Sequence, residues 1–371
     1  MKKIMVRSSR GAYPVLIGRG LLRQAGRLIR ALRGAPVGPG RKILIVTQRP
    51  VGRLYARPLA ESLRRAGYRV FSCEVPNGEI AKSERHLFRL HRVLLSHGFE
   101  RRDAMLALGG GVVGDLTAFC ASTYLRGVPF LNVATTLLAQ VDSAIGGKTG
   151  INLAEGKNLV GSFYPPVAVI SDTAVLRSLP PREYRASLAE VVKYGVIRDA
   201  ALFRFLEARK AAVLNRDPAV LEKIVACSAS IKAGIVSRDE REETGERMIL
   251  NYGHTFGHAL EKITAYRGLS HGEAVSLGMI AAARLAVLSG IFPAVSEIRQ
   301  KALLQGLGLP VARKTLVRKI DRVLRAMVHD KKKNYGRLRF VLPMRIGKTL
   351  IKTDIPLLQV RKALQAILSS C

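Results

Sequence analysis

Along the first half of the chain, apolar positions gather into short runs separated by segments with helical spacing. The runs are "KILIVT" (42–47), "YRVFSCEV" (68–75), "AMLALGG" (104–110), "FLNVAT" (130–135) and "VAVISD" (167–172). Buried strands alternating with helices predict βαβ units and a largely parallel sheet. After Ser178 the pattern changes. Leu188, Val191 and Val192 in "SLAEVVKYGVIRD" recur at helical spacing, and long helices are expected to about residue 328. The paired prolines of "LRSLPPREY" mark the change, because proline stops one element and restricts the residue before it. The chain is therefore expected to hold an α/β domain over 1–178 and an all-α domain over 179–371. The alternation in "GRLRFVLPMRIGK" predicts a short hairpin near the end.

Composition narrows the classes. At 371 residues and 48% hydrophobic, the chain can bury the cores of two ordinary domains, which excludes a disordered chain. Cys73, Cys120, Cys227 and Cys371 are scattered with no CxxC spacing, which argues against a disulfide framework or a zinc ribbon and fits a cytoplasmic protein. The N-terminus has no apolar run of secretory length. The most apolar later stretch, "AVSLGMIAAARLAVLSGIF", is interrupted by Arg284 and reads as a buried helix, so no membrane partner is expected.

Charge is the unusual quantity: 61 Lys and Arg against 27 Asp and Glu leave +34. Such a balance raises nucleic-acid binding. The basic residues are nevertheless spread singly or in pairs, the one tight run is Lys331–Lys333, and aromatics make up only 6%. The charge is therefore read as a solvated basic surface that would also draw in an anionic substrate.

Four stretches carry candidate chemistry. In "LALGGGVVGD", Gly109, Gly111 and Gly114 stand in GxGxxG spacing between a strand and a helix-like segment. That pattern serves either a dinucleotide pyrophosphate or a plain tight turn, and the usual acidic partner some twenty residues on is missing. "TTLLAQVDSAIGGKTGIN" and "EGKNLVGSFYPP" place Lys148, Lys157 and Asn158 on glycine-rich loops suited to phosphate. "LAEVVKYG" sets Glu190 and Lys193 three apart on an apolar helix face, as a local ion pair or as part of a buried polar site. Finally, "NYGHTFGHALE" and "LSHGEAVSLGM" hold His254, His258 and His271, three of only seven histidines. With Glu190 they suffice for a zinc site with an open position. Spacing alone does not choose which two histidines bind, and His254 and His258, at i and i+4, are the naive pair.

Together, "GGGVVGDLTAF", "RGVPFLNVATTLLAQVDSAIGGKTGIN", "GKNLVGSFYPP", "LPPREYRASLAEVVKYG", "NYGHTFGHALE", "SHGEAVSLGM" and "HDKKKNYGRLRFVLP" resemble the 3-dehydroquinate synthases, in order over nearly the whole chain. The resemblance implies a Rossmann-like NAD-binding domain followed by a helical metal- and substrate-binding domain. It also implies conversion of 3-deoxy-arabino-heptulosonate 7-phosphate to 3-dehydroquinate and phosphate, a step of the shikimate pathway, with NAD recycled and a divalent metal, Zn2+ or Co2+, required. By matching positions, the metal ligands would be Glu190, His254 and His271. Lys232 and Arg247 would hold the substrate carboxylate. Lys148, Asn158, Asn251 and a lysine of the 331–333 run, Lys332, would hold the phosphate end. Lys193 would bond a substrate hydroxyl, and Glu243 and His258 would transfer protons.

For NAD the matching positions are Glu79, Lys82, Gly110, Gly111, Val112, Gly114, Asp115, Thr135, Thr136, Asp142, Lys148, Lys157, Val175 and Ser178, with Gln48 where the family commonly has Asp. "NGE" replaces the usual "DGE", and Ser178 a common Thr. Arg126 resembles an arginine donated from a neighbouring subunit, which implies a homodimer. Other sugar-phosphate cyclases and glycerol dehydrogenases are the related alternatives, and a nucleic-acid-binding protein on an enzyme's fold is the distant one.

Overall fold

In the computed structural model the described residues are 1–371 apart from 33–36, 265–267, 314–318, 334–337 and 368–371, together with the side chains of 328–333. The expected Lys332 contact therefore lies outside the described side chains. The chain forms two compact units, Met1–Leu179 with Leu221–Arg241, and Pro180–Val220 with Glu242–Cys371. A single cut after residue 178 does not describe this partition. The segment Leu221–Arg241 groups with the first unit, where Lys232 is bonded to Asp142.

In the first unit the chain runs β1 (Lys2–Ser8), β2 (Gly11–Gly18), α1 (Ala25–Arg30), β3 (Lys42–Gln48), α2 (Arg49–Arg65), β4 (Arg69–Val75), α3 (Glu84–Ser96), β5 (Ala104–Gly109), α4 (Gly111–Thr123), β6 (Phe130–Ala134), β7 (Lys148–Leu153), β8 (Gly156–Phe163) and β9 (Ala168–Asp172). Seven strands form one sheet in the order β1-β2-β9-β6-β5-β3-β4. The five strands expected from the apolar runs run parallel, and β2 joins them in parallel beside β9. The β1–β2 hairpin, pairing Lys2 with Ile17, adds an antiparallel edge that the runs did not announce.

Successive residues of β5 face opposite layers, as strand geometry requires. Met105 and Ala107 pack with Leu90 and Phe119 on one face, and Leu106 and Leu108 with Ile29 and Leu63 on the other. Both faces of β3, β5, β6 and β9 are covered, which is why they read as nearly continuous apolar runs.

The stretch expected as two phosphate loops is instead an antiparallel hairpin, β7–β8. Its glycines have a local reason. A Cβ on Gly161 would lie 2.0 Å from the Thr149 carbonyl oxygen, so the strands approach only because that position lacks one.

The second unit begins with α5 (Pro181–Ile197), α6 (Ala200–Ala208) and α7 (Lys210–Leu214). Helix α8 (Pro218–Val236) leads from it into Leu221–Arg241. The unit then continues through α9 (His254–Ile263), α10 (His271–Leu288), α11 (Ala294–Gly306), α12 (Ile320–Lys333), the hairpin β10 (Phe340–Arg345) and β11 (Lys348–Lys352), and α13 (Leu357–Gln365). The hairpin is present, but the expected stretch 336–348 holds β10, the turn and the first residue of β11, which continues beyond it to Lys352. Helix α10 has the length and hydropathy of a membrane span, but 72% of it is buried inside the protein, and it packs against α5, α9 and α13 as a core helix.

Candidate functional site

The second unit gathers Glu190, His254 and His271 at one place. Glu190 comes from the middle of α5, while the two histidines are the first residues of α9 and α10. Missing side chains bring the elements this close. A Cβ on Gly272 would lie 1.9 Å from the Ala186 carbonyl oxygen, and one on Gly278 would lie 2.0 Å from that of Gly253. Ser270 caps α10 by accepting from Glu273 N, and the Glu273 carboxylate accepts from Ser270 N, which fixes where His271 begins. Two helix N-termini thus meet near one carboxylate, a favourable arrangement for its charge.

Both histidines turn Nε2 toward the same carboxylate oxygen, Glu190 Oε1, at 3.5 Å from His254 and 3.7 Å from His271. Their other nitrogens are occupied. His254 Nδ1 lies 3.2 Å from the Tyr252 carbonyl, which can only accept, so Nδ1 carries the proton and Nε2 a lone pair. His271 Nδ1 lies 3.4 Å from Glu261 Oε2. The donor atoms of Glu190, His254 and His271 all lie within 4.8 Å of one another.

Burial pushes the His254 pKa down to about 3, although Glu190 pulls the other way, so this imidazole is neutral. At His271 burial is again the largest single influence and acts downward. The combined hydrogen bonds and charges of Glu190 and Glu261 outweigh it and raise the pKa to about 10. A carboxylate and imidazole lone pairs converging on one point favour a positive charge there, whether proton or metal ion.

Lys193, one helical turn from Glu190, bonds its Oε2, and the two side chains are 2% and 1% exposed. The Glu190–Lys193 pair is therefore part of a buried polar site and not a surface ion pair. His258 joins the cluster from the exposed side, with ring centroids 5.3 Å from His254 and 6.2 Å from His271. It also forms a second donor group with Glu261 and His271. Before α9, Arg247 is buried with its Nε 3.5 Å from Glu242, whereas Glu243 and Asn251 are exposed.

In the first unit the expected NAD residues fall into neighbourhoods. The strand order reverses between β3 and β5, since β3 leads to β4 on one side and the chain returns to β5 on the other. Ligands of such sheets bind outside the carboxyl ends of the strands at this switch. Gly110 caps α4 there, and a Cβ on Gly110 or Gly111 would come within 2.9 Å of the Thr136 or Ser143 side chain. Thr135 N bonds the Gly109 carbonyl, and Gly114 faces Asn132. At the end of β3, the Gln48 amide donates to the Pro76 carbonyl at 2.9 Å.

A second neighbourhood joins Lys82, Asp115 and Asn158: Lys82 Nζ is 2.6 Å from Asp115 and also bonds the Asn158 side chain. Glu79 accepts from Asn152 and lies 3.9 Å from Lys157. A third pairs Lys232 Nζ with Asp142 through both its carboxylate and its carbonyl, each at 2.7 Å. Tyr55 OH meets Ser178 Oγ at 2.6 Å and the Val175 carbonyl at 3.2 Å. Lys148, exposed, opens β7, and Arg126 is exposed with a left-handed backbone, φ 62°. Glu261 is the residue that sequence reasoning missed. Its only signal was its place three residues after His258 on the same helix.

Comparison with known proteins agrees in both halves. Residues 72–186 match the 3-dehydroquinate synthase N-terminal family and residues 187–333 the C-terminal family. The 3-dehydroquinate synthase of Desulforamulus reducens is 44% identical over 355 residues, covering 96% of this chain and 97% of that one. That of Symbiobacterium thermophilum is 45% identical over 358 residues, covering 96% and 98%. Among solved structures, 2-epi-5-epi-valiolone synthase from Streptomyces hygroscopicus, with NAD+ and Zn2+ bound, superimposes with a TM-score of 0.86 at 28% identity over 96% of each chain. A 2-deoxy-scyllo-inosose synthase complexed with carbaglucose-6-phosphate, NAD+ and Co2+ also gives 0.86, at 26% identity over 98% and 99%. A probable glycerol dehydrogenase from Sinorhizobium meliloti, at 16% identity, shares the fold alone, with a TM-score of 0.65 over 95% and 96%. By the matches to both domains and the identity sustained over almost its full length, this chain belongs to the 3-dehydroquinate synthase family.

Proposed function

We propose that this protein converts 3-deoxy-arabino-heptulosonate 7-phosphate to 3-dehydroquinate and phosphate. The observation that carries the proposal is the convergence of Glu190, His254 and His271 beside buried Lys193, in a chain of this family. The donor set fits a divalent cation: one carboxylate oxygen, two imidazole nitrogens, and each imidazole oriented through its other nitrogen. Held by these three residues, Zn2+ or Co2+ would supply Lewis-acid polarisation of substrate oxygens. The α4 N-terminus with its side-chain-free approach at Gly110 and Gly111 fits a pyrophosphate. NAD held there, with Val112, Thr135, Thr136, Asp142, Lys157, Val175 and Ser178, would supply a hydride acceptor that is regenerated within the turnover.

The remaining work falls to side chains. Lys193, fixed by Glu190, donates to a substrate hydroxyl. A ketone on the substrate acidifies the neighbouring C–H, so phosphate leaves by β-elimination before re-reduction, ring opening and aldol closure. His258, exposed at the rim of the cluster, and Glu243 move protons. Lys232 and Arg247 hold the carboxylate, and Lys148, Asn158 and Asn251 the phosphate end. Gln48 contributes an amide at the adenosine ribose without a carboxylate's charge.

Purified protein with NAD and Zn2+ is expected to release phosphate from the heptulosonate phosphate. Release from sedoheptulose 7-phosphate instead would assign the chain to a carboxylate-free substrate and overturn the proposal. We infer a cytoplasmic homodimer as well. The support is that Leu125 and Arg126 hold consecutive left-handed backbones, a strained turn whose apolar and cationic side chains are exposed. Sedimentation should give twice the chain mass, and Arg126→Ala should lower activity while leaving metal content unchanged; a fully active monomer contradicts the inference.

A further inference from the structure

Far from the carboxyl edge of the sheet, α1 and α2 enclose a groove of about 620 Å³ rimmed by Arg23, Arg27, Arg30 and Arg65. Arg27 and Arg30, three apart, share one face of α1, and Arg23 lies in the 3-10 turn just before it. The helices meet at close range: a Cβ on Gly26 would lie 2.1 Å from the Ser62 carbonyl oxygen, and Gly26 N donates to Ser62 Oγ at 3.1 Å. This contact brings Arg65, near the end of α2, beside the α1 arginines, with Gln24, Ala31, Ser62 and Ala66 completing the lining.

No carboxylate lines the groove among the described residues. Over residues 1–73 the only acidic residue is Glu61; Arg57 holds it at 2.8 Å, and it also lies within the field of Arg65 and Arg23, one carboxylate shared among three guanidinium groups. Converging guanidinium groups repel one another, and a multiply charged anion offsets that repulsion. Arginine also suits phosphate geometrically, with paired donors, and presents a flat face on which a base can stack. The volume falls within the small-molecule range. Four positive charges match the charge of a nucleotide bearing two or three phosphates, and the small side chains of Ala31, Ser62 and Ala66 leave room for its base.

We propose that the α1–α2 groove binds a nucleoside polyphosphate. The site is separate from the one assigned to NAD. Helix α2 starts at the sheet's carboxyl edge after Gln48, and its 17 residues run about 25 Å before reaching Arg65.

The test uses the full-length protein saturated with NAD, so that the other nucleotide site is filled, with ATP titrated by calorimetry. ATP is expected to bind, and more tightly than inorganic triphosphate. The double variant Arg27→Glu/Arg30→Glu, exposed and checked for an unchanged melt, should weaken ATP about tenfold or more. Absence of ATP binding, or equal affinity in the variant, overturns the site. Equal binding of inorganic triphosphate overturns the nucleoside part, and tight binding of single-stranded RNA that ATP does not displace reassigns the groove to nucleic acid.

Discussion

Substituting His254 by alanine abolishes stoichiometric divalent-metal binding, whereas His258→Ala keeps the metal and loses turnover by about a hundred- to ten-thousandfold, the range of a proton-transfer group. The difference follows from what each ring faces. His254 Nε2 is aimed at Glu190 and its Nδ1 is held by the Tyr252 carbonyl, within a side chain 13% exposed. His258 lies on the exposed side and does not belong to the Glu190 donor group. Glu261→Gln should fall between the two, with metal affinity reduced about 10- to 100-fold, because the carboxylate that orients His271 becomes a neutral amide. Metal content after dialysis against a chelator, measured for each variant, checks the series. Loss of metal from His258→Ala as well as His254→Ala would restore the i, i+4 pair as ligands and shift the centre to the His258, Glu261 and His271 group.

The second large effect is on stability. Lys193→Met should cost about 3–5 kcal/mol in chemical denaturation without metal, because it leaves the Glu190 carboxylate, 1% exposed, without its ammonium partner. Zn2+ should restore much of that loss by supplying the missing positive charge, and Glu190→Gln combined with Lys193→Met should be less damaged than the two losses summed. A loss below about 1 kcal/mol, unaffected by zinc, would mean that the carboxylate relies on other groups and that Lys193 is not its counter-charge.

Much of this protein is legible in its residue pattern. Strands buried on both faces must be apolar throughout, so β3, β5, β6 and β9 announce themselves, and the helical spacing after Ser178 announces α5. The lysine- and glycine-rich stretch that forms β7–β8 misleads about local structure alone, because glycine marks a loop and a close strand approach equally well. Glu261 gives little signal because its importance lies in touching His271 from a different helix.

By itself, the sequence determined the parallel-sheet half, the helical half, the glycine turn opening α4, and the inventory of acids, histidines and lysines. These follow from periodicity and residue chemistry within a few turns of chain. Only the tertiary structure decided that Glu190 Oε1 would face two imidazoles 64 and 81 residues away, since it depends on Gly272 and Gly278 letting helix backbones nearly touch. It likewise decided that Lys232 would close on Asp142, 90 residues earlier, and that the arginines of α1 would converge with Arg65. Such distances are set by packing between elements, which local pattern does not encode.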